Sequence, residues 1–222
     1  MSLDNCVIFN NVRLSFPNIA TPQVHQDTQK ASYGADLIIE PNDPNFQKFI
    51  AIVHKLAAEK WGEKAQQVIA MCEADKRSRC YGKGDEKIHS TKMTVYPGYS
   101  GKLYLTARGS RMPQIIRPDG TPVEEANLIE RQAVARTLYG GCRADVVVKP
   151  WMQNNTADKG GRALRCDIIA VRFAGDDEPL GGGVTDASSL FTAAPAAPAT
   201  WGAATPMPAA PFPGTAPKAP WG

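Results

Sequence analysis

Two long alternating segments in the second half of the chain constrain its fold more than any other feature. In residues 141–151 and again in 162–173, small or apolar residues occupy every second position. Since successive strand side chains point to opposite faces, each segment predicts a strand with one face in a core. The polar, glycine-ended linker Asn154–Gly161 joins them, which predicts a long antiparallel hairpin. The predicted inward residues are Cys142, Ala144, Val146 and Val148, then Leu164, Cys166, Ile168 and Ala170.

Strands are also predicted near the start of the chain, over residues 6–17 and 31–40, where apolar residues recur in short runs. Pro17 is expected to stop the first strand and Pro41 the second. One face of the first strand is predicted to carry Ile8, Val12, Leu14 and Phe16, and the other Phe9, Asn11, Arg13 and Ser15.

The apolar period then changes to three and four residues, which predicts helices. Asp43 is expected to cap a helix that begins at Pro44 and closes at Gly62. A shorter helix is expected from Glu63 to about Glu73. The stripes interpreted as core are Phe46, Phe49, Ile50, Val53, Leu56, Ala57 and Trp61 in the first helix, and Ala65, Val68, Ile69 and Cys72 in the second.

Residues 96–111, YPGYSGKLYLTARGSR, combine tyrosines with cations around a strand predicted over 102–109. A short strand over 114–117 is expected to follow. With five or six strands and no βαβ rhythm, the sequence favours a mainly β, α+β fold, either a small partly open barrel or a sandwich. On the strand over 102–109, Leu103, Leu105 and Ala107 are predicted to face the core, and Lys102, Tyr104, Thr106 and Arg108 to face outward.

Positive charge is concentrated in the same region. Residues 76–117 hold ten basic residues and two acidic ones, in a chain whose net charge is +3. Single-stranded nucleic acid presents phosphates and unstacked bases, which cationic side chains and flat rings bind. Arg143, Lys149 and Trp151 extend this chemistry on the predicted outward face of the hairpin. The pattern therefore favours nucleic-acid binding, while tyrosine and lysine are also common on exposed strands without any ligand.

The cysteines and the apolar runs indicate a compartment. The five cysteines form no CxxC pair, which indicates reduced thiols in a cytosolic protein. Cys72, Cys80 and His89 match no common zinc spacing, so we expect no metal and no other cofactor. No apolar run reaches the roughly 20 residues that span a bilayer, so we expect a protein that is neither membrane-spanning nor exported.

A change of composition divides the chain into a predicted domain over residues 1–183 and a predicted disordered, proline- and alanine-rich tail over 184–222. The tail contains WG dipeptides at Trp201 and Trp221. They are candidate docking segments for a partner protein, and drift in the composition of a linker explains them equally well.

Several segments resemble, in order, a family of phage single-stranded-DNA-binding proteins long known only as a domain of unknown function. The resemblance covers roughly residues 7–183. The segments are VRLSFPNI, YGADLIIEPNDP, AAEKWGEKA, YPGYSGKLYLTARGS, MPQIIRPDGTPVEE, LYGGCRADVVVKPW and RALRCDIIAVRFAGDDEPLGG.

This resemblance implies an OB fold, a five-stranded and partly open barrel whose outer groove holds single strands without catalysis. It implies a role in phage DNA replication, recombination or repair in the cytoplasm of a bacterial host, and leaves homo-oligomerisation open. From facing and chemistry, the residues expected to contact the strand are Tyr96, Tyr99, Lys102, Tyr104, Arg108, Arg111, Arg143, Lys149 and Trp151.

One departure concerns partners. Many single-strand binders end in an acidic tail that recruits replication proteins, whereas the nearest acidic cluster here, Asp176 to Glu178, precedes the tail. Docking of phage or host replication and recombination proteins through Trp221 would therefore have to be apolar. Three other functions stay open on sequence alone: a strand-annealing protein, a metal-dependent nuclease using Asp145 and Asp167, and a virion or scaffolding protein.

Overall fold

The protein is described from a computed structural model, which covers residues 3–24, 29–157 and 160–181. The expected tail, residues 184–222, lies outside the described residues. The strands are β1 (Val7–Val24), β2 (Ala31–Ile39), β3 (Tyr81–Lys83), β4 (Leu103–Gly109), β5 (Gln114–Ile116), β6 (Arg143–Asn154) and β7 (Arg162–Gly175). The helices are α1 (Pro44–Trp61), α2 (Ala65–Ala74) and α3 (Leu128–Ala135), with single 3-10 turns at Gly62–Lys64 and Gly84–Glu86.

The described strands form one sheet in the order β3-β4-β2-β1-β6-β7-β5. Its five central strands, β4 to β7 in that order, make the partly open barrel that the resemblance implies, so the α+β, OB-fold expectation is confirmed. No ladder joins β4 to β7 within the described ranges. The loop before β3 bridges the gap instead. On one side, Leu164 N of β7 donates to Ser78 O at 2.7 Å, and on the other, Thr106 N of β4 donates to Cys80 O at 2.7 Å.

Strand β1 differs from its sequence prediction in length and in facing. Its pairing with β6 shifts register between Phe9 and Val12, and Asn11 has a φ of 51°. Because this bulge adds a residue, Phe9 and Val12 both face the core while Ile8 is 52% exposed. The predicted placement of Ile8 on the same face as Val12, with Phe9 on the opposite face, is therefore wrong.

Two further predictions for β1 are wrong for a related reason. The strand continues through Pro17 to Val24, because Pro17 lies within the second register shift, between Ser15 and Asn18, where the ladder with β2 is already interrupted. In the same irregularity Phe16 takes a φ of 48° and is 46% exposed, although the alternation placed it on the same face as Val12 and Leu14, which are buried.

The two predicted helices are confirmed, and they cover one side of the curved sheet. Asp43 accepts a hydrogen bond from Asn45 N at 2.7 Å, and Pro44 opens α1 as expected. The Phe49 ring is fully buried and packs against the rings of Phe46 and Tyr81 with centroids 6.3 and 6.0 Å away. The buried residues of α2 are the predicted ones, Ala65, Val68, Ile69 and Cys72.

The late hairpin is also confirmed, since β6 pairs with β7 in antiparallel register along almost its whole length. All eight residues predicted to face inward are buried. Between β4 and β6, sequence analysis missed helix α3. It also did not indicate that β5 pairs with β7 in parallel. Arg131, 8% exposed, ties α3 to the sheet by donating to the carbonyls of Met112 and Pro113.

A second, smaller core lies on the outer face of β2 and β4, beneath the loop of residues 84–102. Ile38, Tyr99 and Tyr104 are its buried members, and Tyr96 and Leu180 pack against them. This loop therefore covers much of the sheet surface that alternation alone assigns to solvent. None of the helices in the part of the chain described has the length and apolarity that crossing a membrane requires.

Candidate nucleic-acid interface

An open cleft of about 690 Å³ lies where the barrel does not close, between β4 and β7. We call it the cationic cleft, because it brings together four basic side chains from separate parts of the chain. Its lining comes from the start of β2, the loop before β3, and strands β4, β6 and β7. Its charged and aromatic lining residues are Lys30, Arg79, Arg108, Trp151, Arg165 and Asp167.

Arg108 has room in the cleft because its cross-strand neighbour is a glycine. Gly34 pairs with Arg108 in the β2–β4 ladder, and an ideal Cβ at position 34 would lie 2.8 Å from the Arg108 Cγ. The same Cβ would lie 2.3 Å from the carbonyl oxygen of Ala107. A side chain at position 34 therefore cannot coexist with this placement of Arg108, which is exposed to solvent.

Arg79 and Arg165 are held by other protein groups. Arg79, whose side chain is 13% exposed, forms an ion pair with Glu86. Arg165 donates from Nη1 to the Arg77 carbonyl at 2.9 Å and from Nε to Gln153 Oε1 at 3.2 Å. These contacts fix two guanidinium groups in the cleft lining, where they supply positive charge without a large loss of side-chain entropy on binding an anion.

Trp151 supplies the flat ring of the cleft. It is 40% exposed, and its indole Nε1 donates to Asp167 Oδ1 at 2.8 Å. Burial raises the pKa of the Asp167 carboxyl, and the hydrogen bond from Trp151 and the charge of Lys149 oppose that rise. The ring is thus tethered at one edge and available to solvent over part of its surface.

Of the nine residues predicted from sequence, the structure brings Arg108 and Trp151 together in the cationic cleft. Lys149 lies beside them, in a smaller groove of about 270 Å³ that shares Trp151 as a wall. Arg111 is exposed just beyond the end of β4. These four residues keep the exposure that sequence analysis expected of them.

Tyr99 and Tyr104 do not have the expected exposure. Tyr99 is fully buried and donates from its hydroxyl to Asp36 Oδ2 at 3.0 Å, while Tyr104 is 5% exposed. The Tyr104 ring does lie on the outer face of β4, as alternation requires, but the loop of residues 84–102, which includes Tyr99, covers it. Burial raises the pKa of both phenols, because the charged phenolate is poorly solvated there.

Tyr96 is half-buried in a group of rings outside the cationic cleft. The exposed Phe16 ring meets it edge to face, with centroids 5.0 Å apart, and His89 lies 5.2 Å away. Phe16 was missed by sequence analysis because the irregularity in β1 reverses its facing. The chain offers no local signal for that reversal beyond the Phe-Pro pair itself.

Lys102 and Arg143 are both ion-paired and do not line the cationic cleft. Lys102 Nζ lies 2.5 Å from Glu40 Oε2. Arg143 Nε donates to Asp177 Oδ2 at 2.6 Å. The pKa of the Asp177 carboxyl lies below its usual value, mainly because Glu178 N donates to it and also because of the hydrogen bond from Arg143.

The cleft residues that sequence analysis missed are Lys30, Arg79 and Arg165. A signal for Arg165 was present, because it alternates with core residues on β7 and lies directly opposite Trp151 in the hairpin. Lys30 and Arg79 precede β2 and β3, and only the three-dimensional curl of the sheet brings them near Arg108.

The carboxylates considered for a nuclease are engaged elsewhere. Asp145 Oδ2 accepts from Arg172 Nη2 at 2.6 Å, and Asp167 accepts from Trp151. Among the residues that the structure describes, no three His, Cys, Asp or Glu side chains come together in a way that would hold a metal ion.

Comparison with solved structures shows where this fold recurs. The single-stranded DNA-binding protein from bacteriophage Enc34, as a C-terminal truncation, matches with 22% identity and a TM-score of 0.59 over 79% of this chain and 88% of that chain. The same phage protein in complex with single-stranded DNA matches with 22% identity and a TM-score of 0.53, over 80% and 90% of the two chains. These likenesses show a shared fold.

Comparison of sequences gives the family. No curated protein sequence matches this chain. The family model described as the single-stranded-DNA-binding protein of Enterobacter phage Enc34 matches residues 5–199, which is most of the chain. The protein therefore belongs to the Enc34 family of phage single-stranded-DNA-binding proteins.

Proposed function

We propose that the protein binds single-stranded DNA in the cationic cleft, without base preference and without catalysis. It acts in phage DNA replication, recombination or repair, in the cytoplasm of the bacterial host. The observation that carries this proposal is the convergence of Lys30, Arg79, Arg108 and Arg165 on a partly exposed indole ring, Trp151.

The chemistry of the cleft suits an unpaired strand. Cations neutralise backbone phosphates whatever the base, and an aromatic face stacks on any base with a gain of roughly 1–3 kcal/mol. A duplex already stacks its bases on each other and offers no free face to Trp151. Preference for single strands therefore follows from the ring, and affinity from the charges.

OB folds generally bind oligonucleotides on the face of their second and third strands and on the adjoining loops. Here those strands are β2 and β4, and the cleft includes only the start of β2 and the end of β4, because the loop of residues 84–102 covers much of the rest of that face. A family relative, the Enc34 protein, has been solved in complex with single-stranded DNA.

We define the proposed interface by exposure as well as by charge. Tyr99 and Tyr104 are left out because they are buried, and Lys102 and Arg143 because each is paired with an acid and lies outside the cationic cleft. Tyr96 is retained because its half-buried ring lies against the exposed ring of Phe16, beyond the cleft. The proposed contact residues are Lys30, Arg79, Tyr96, Arg108, Arg111, Lys149, Trp151 and Arg165.

Fluorescence anisotropy with a labelled oligothymidine tests this function. We expect saturable binding that weakens steeply as salt is raised, and much weaker binding of a duplex of the same length. Trp151→Ala should weaken binding of the single strand while leaving the melting temperature close to that of the wild type. Absence of binding even in dilute buffer would refute the proposal.

A second assay tests the absence of catalysis. Labelled single strands are incubated with the protein and Mg²⁺, then analysed for length and for mobility. We expect a stoichiometric shift in mobility with the strands intact. Cleavage that scales with protein and is lost in an Asp145→Asn variant would support the nuclease alternative instead.

A further inference from the structure

Asp167 has the wrong charge for its position. Among the described residues that line the cationic cleft it is the single carboxylate, against Lys30, Arg79, Arg108 and Arg165. A negative charge there repels the phosphates of the DNA that the cleft is proposed to bind. Its half-buried position adds a cost of desolvation, which raises the pKa of its carboxyl. A side chain that opposes both binding and burial calls for a separate explanation.

The contact with Trp151 gives that explanation. In the β6–β7 ladder, Trp151 lies opposite Arg165 and Asp167 lies opposite Lys149, so Trp151 and Asp167 are diagonal neighbours on the outer face. Side chains as long as an indole reach across such a diagonal. The distance from Nε1 to Oδ1, 2.8 Å, is that of a well-formed N–H···O hydrogen bond.

The surroundings of Trp151 show why its ring needs a tether. The indole is a wall between two depressions, the cationic cleft and the groove of about 270 Å³ beside α1. That second groove contains apolar surface from Leu56, Pro150 and Met152. An indole free to rotate would gain apolar contact by leaning into it and away from the cleft.

We propose that Asp167 is a positioning residue for single-stranded DNA, which orients the Trp151 ring toward the cationic cleft through the hydrogen bond to its indole N–H. The inference rests on the proposed function for its ligand. The placement of the ring itself concerns the free protein and is tested there.

The first experiment compares two full-length variants without DNA. Asp167→Asn removes the charge and keeps an acceptor oxygen, whereas Asp167→Leu removes both and keeps a side chain that branches at Cγ. Proteins labelled with 5-fluorotryptophan are compared by ¹⁹F NMR, with the Trp151 resonance assigned from Trp151→Phe. We expect this resonance to stay near its wild-type position in the Asn variant and to move or broaden in the Leu variant. An unmoved resonance in the Leu variant would overturn the proposal.

The second experiment measures binding of labelled oligothymidine by the same variants. Both lack the same charge, so attraction for phosphates rises equally in each. We expect the Asn variant to bind at least as tightly as the wild type, and the Leu variant roughly three- to tenfold more weakly than the Asn variant. Equal affinities for the two variants would mean that Asp167 acts only through its charge.

Two further outcomes are also decisive: a Leu variant that does not fold, and a wild type that binds no single strand. If the Leu variant does not fold, Asp167→Ala replaces it, because alanine also lacks the charge and the acceptor while the Trp151 ring and its ¹⁹F resonance remain; the same shift of the resonance and the same loss of affinity relative to the Asn variant are expected. If the wild type fails to bind any single strand, the proposed function is wrong, and the ¹⁹F comparison still decides whether Asp167 holds the ring.

Discussion

The ammonium of Lys87 lies 2.7 Å from the carboxylate of Asp36, a residue that is 3% exposed. The same carboxylate accepts hydrogen bonds from the hydroxyls of Tyr99, at 3.0 Å, and Thr106, at 2.7 Å. Lys87 and Tyr99 belong to the loop of residues 84–102, whereas Asp36 and Thr106 belong to β2 and β4. One buried acid therefore joins this loop to the outer face of the sheet.

Removal of Lys87 should lower stability. In Lys87→Met the Asp36 carboxylate remains buried without its cation, and we expect a loss of about 2 kcal/mol, the usual range for a hydrogen bond to a charged group. Unfolding in urea measures this loss. Lys92→Met, at an exposed position of the same loop, is the control and should change little. Equal stability of the Lys87 variant and wild type would mean that the two hydroxyls satisfy Asp36 alone.

Tyr104→Ala should act on the fold. Tyr104 is 5% exposed, packs with Ile38 and Tyr99, and lies under the Lys87 ammonium, 4.2 Å from its ring centroid. Truncation of a buried aromatic residue costs about 3–5 kcal/mol, so we expect a clearly lower melting temperature. Circular dichroism gives the melting curve. An unchanged curve with weakened DNA binding would restore Tyr104 to the interface.

Arg108→Gln should change the salt dependence of DNA binding. Loss of one phosphate contact lowers the slope of log affinity against log salt concentration by about 0.7 for single strands. Anisotropy titrations at four or more salt concentrations give the slope. Lys48→Gln is the matched control, since Lys48 is exposed on α1 and does not line the cleft, and its slope should equal that of the wild type. Equal slopes for both variants would place the phosphates elsewhere.

Thiol reactivity should report the fold at one cysteine. Burial raises the pKa of Cys80 to about 12 and that of Cys142 to about 11, and it also raises the pKa values of Cys72 and Cys166. Cys6 is the one cysteine that is not fully buried. Because the thiolate is the reactive species, a disulfide reagent at pH 8 should modify one thiol quickly in the native protein and all five after denaturation.

The control for this experiment is Cys6→Ser, which should abolish the fast phase and leave four thiols after denaturation. Two or more fast thiols in the wild type would show that a buried strand or helix carrying a cysteine opens readily in the native state.

Sequence alone predicted the elements whose apolar period runs without interruption. The hairpin of β6 and β7 was predicted correctly because alternation persists from Arg143 to Pro150 and from Leu164 to Ala170, and because the linker is polar. The start of α1 was predicted because Asp43 and Pro44 act through contacts with the next few residues. In each of these cases the deciding interactions are local.

Sequence failed where the deciding interactions are distant. The bulge between Phe9 and Val12 reverses the facing of β1, and two asparagines do not specify a bulge. The burial of Tyr99 and Tyr104 depends on a loop folding back over the sheet, which alternation cannot indicate. Helix α3 was missed although Asn127 caps it by accepting from Glu130 N, a short-range signal that was overlooked.

The residues of the cationic cleft were predicted only in part. Arg108 and Trp151 were predicted from facing and chemistry, because both lie on strands with regular alternation. Lys30 and Arg79 join them only because the sheet curls until β4 approaches β7. A single sequence contains no pattern for that curvature, so their contribution required the structure.

The pairing of β1 with both β2 and β6 affects when the protein folds during synthesis. Arg13 pairs with Ile38 of β2 and also with Arg143 of β6, and Val7 pairs with Val148. During synthesis one edge of β1 stays unpaired until residues 143–148 have left the ribosome, so the ladder between β1 and β6 forms late. Each newly made molecule must protect an open strand edge through most of its own translation.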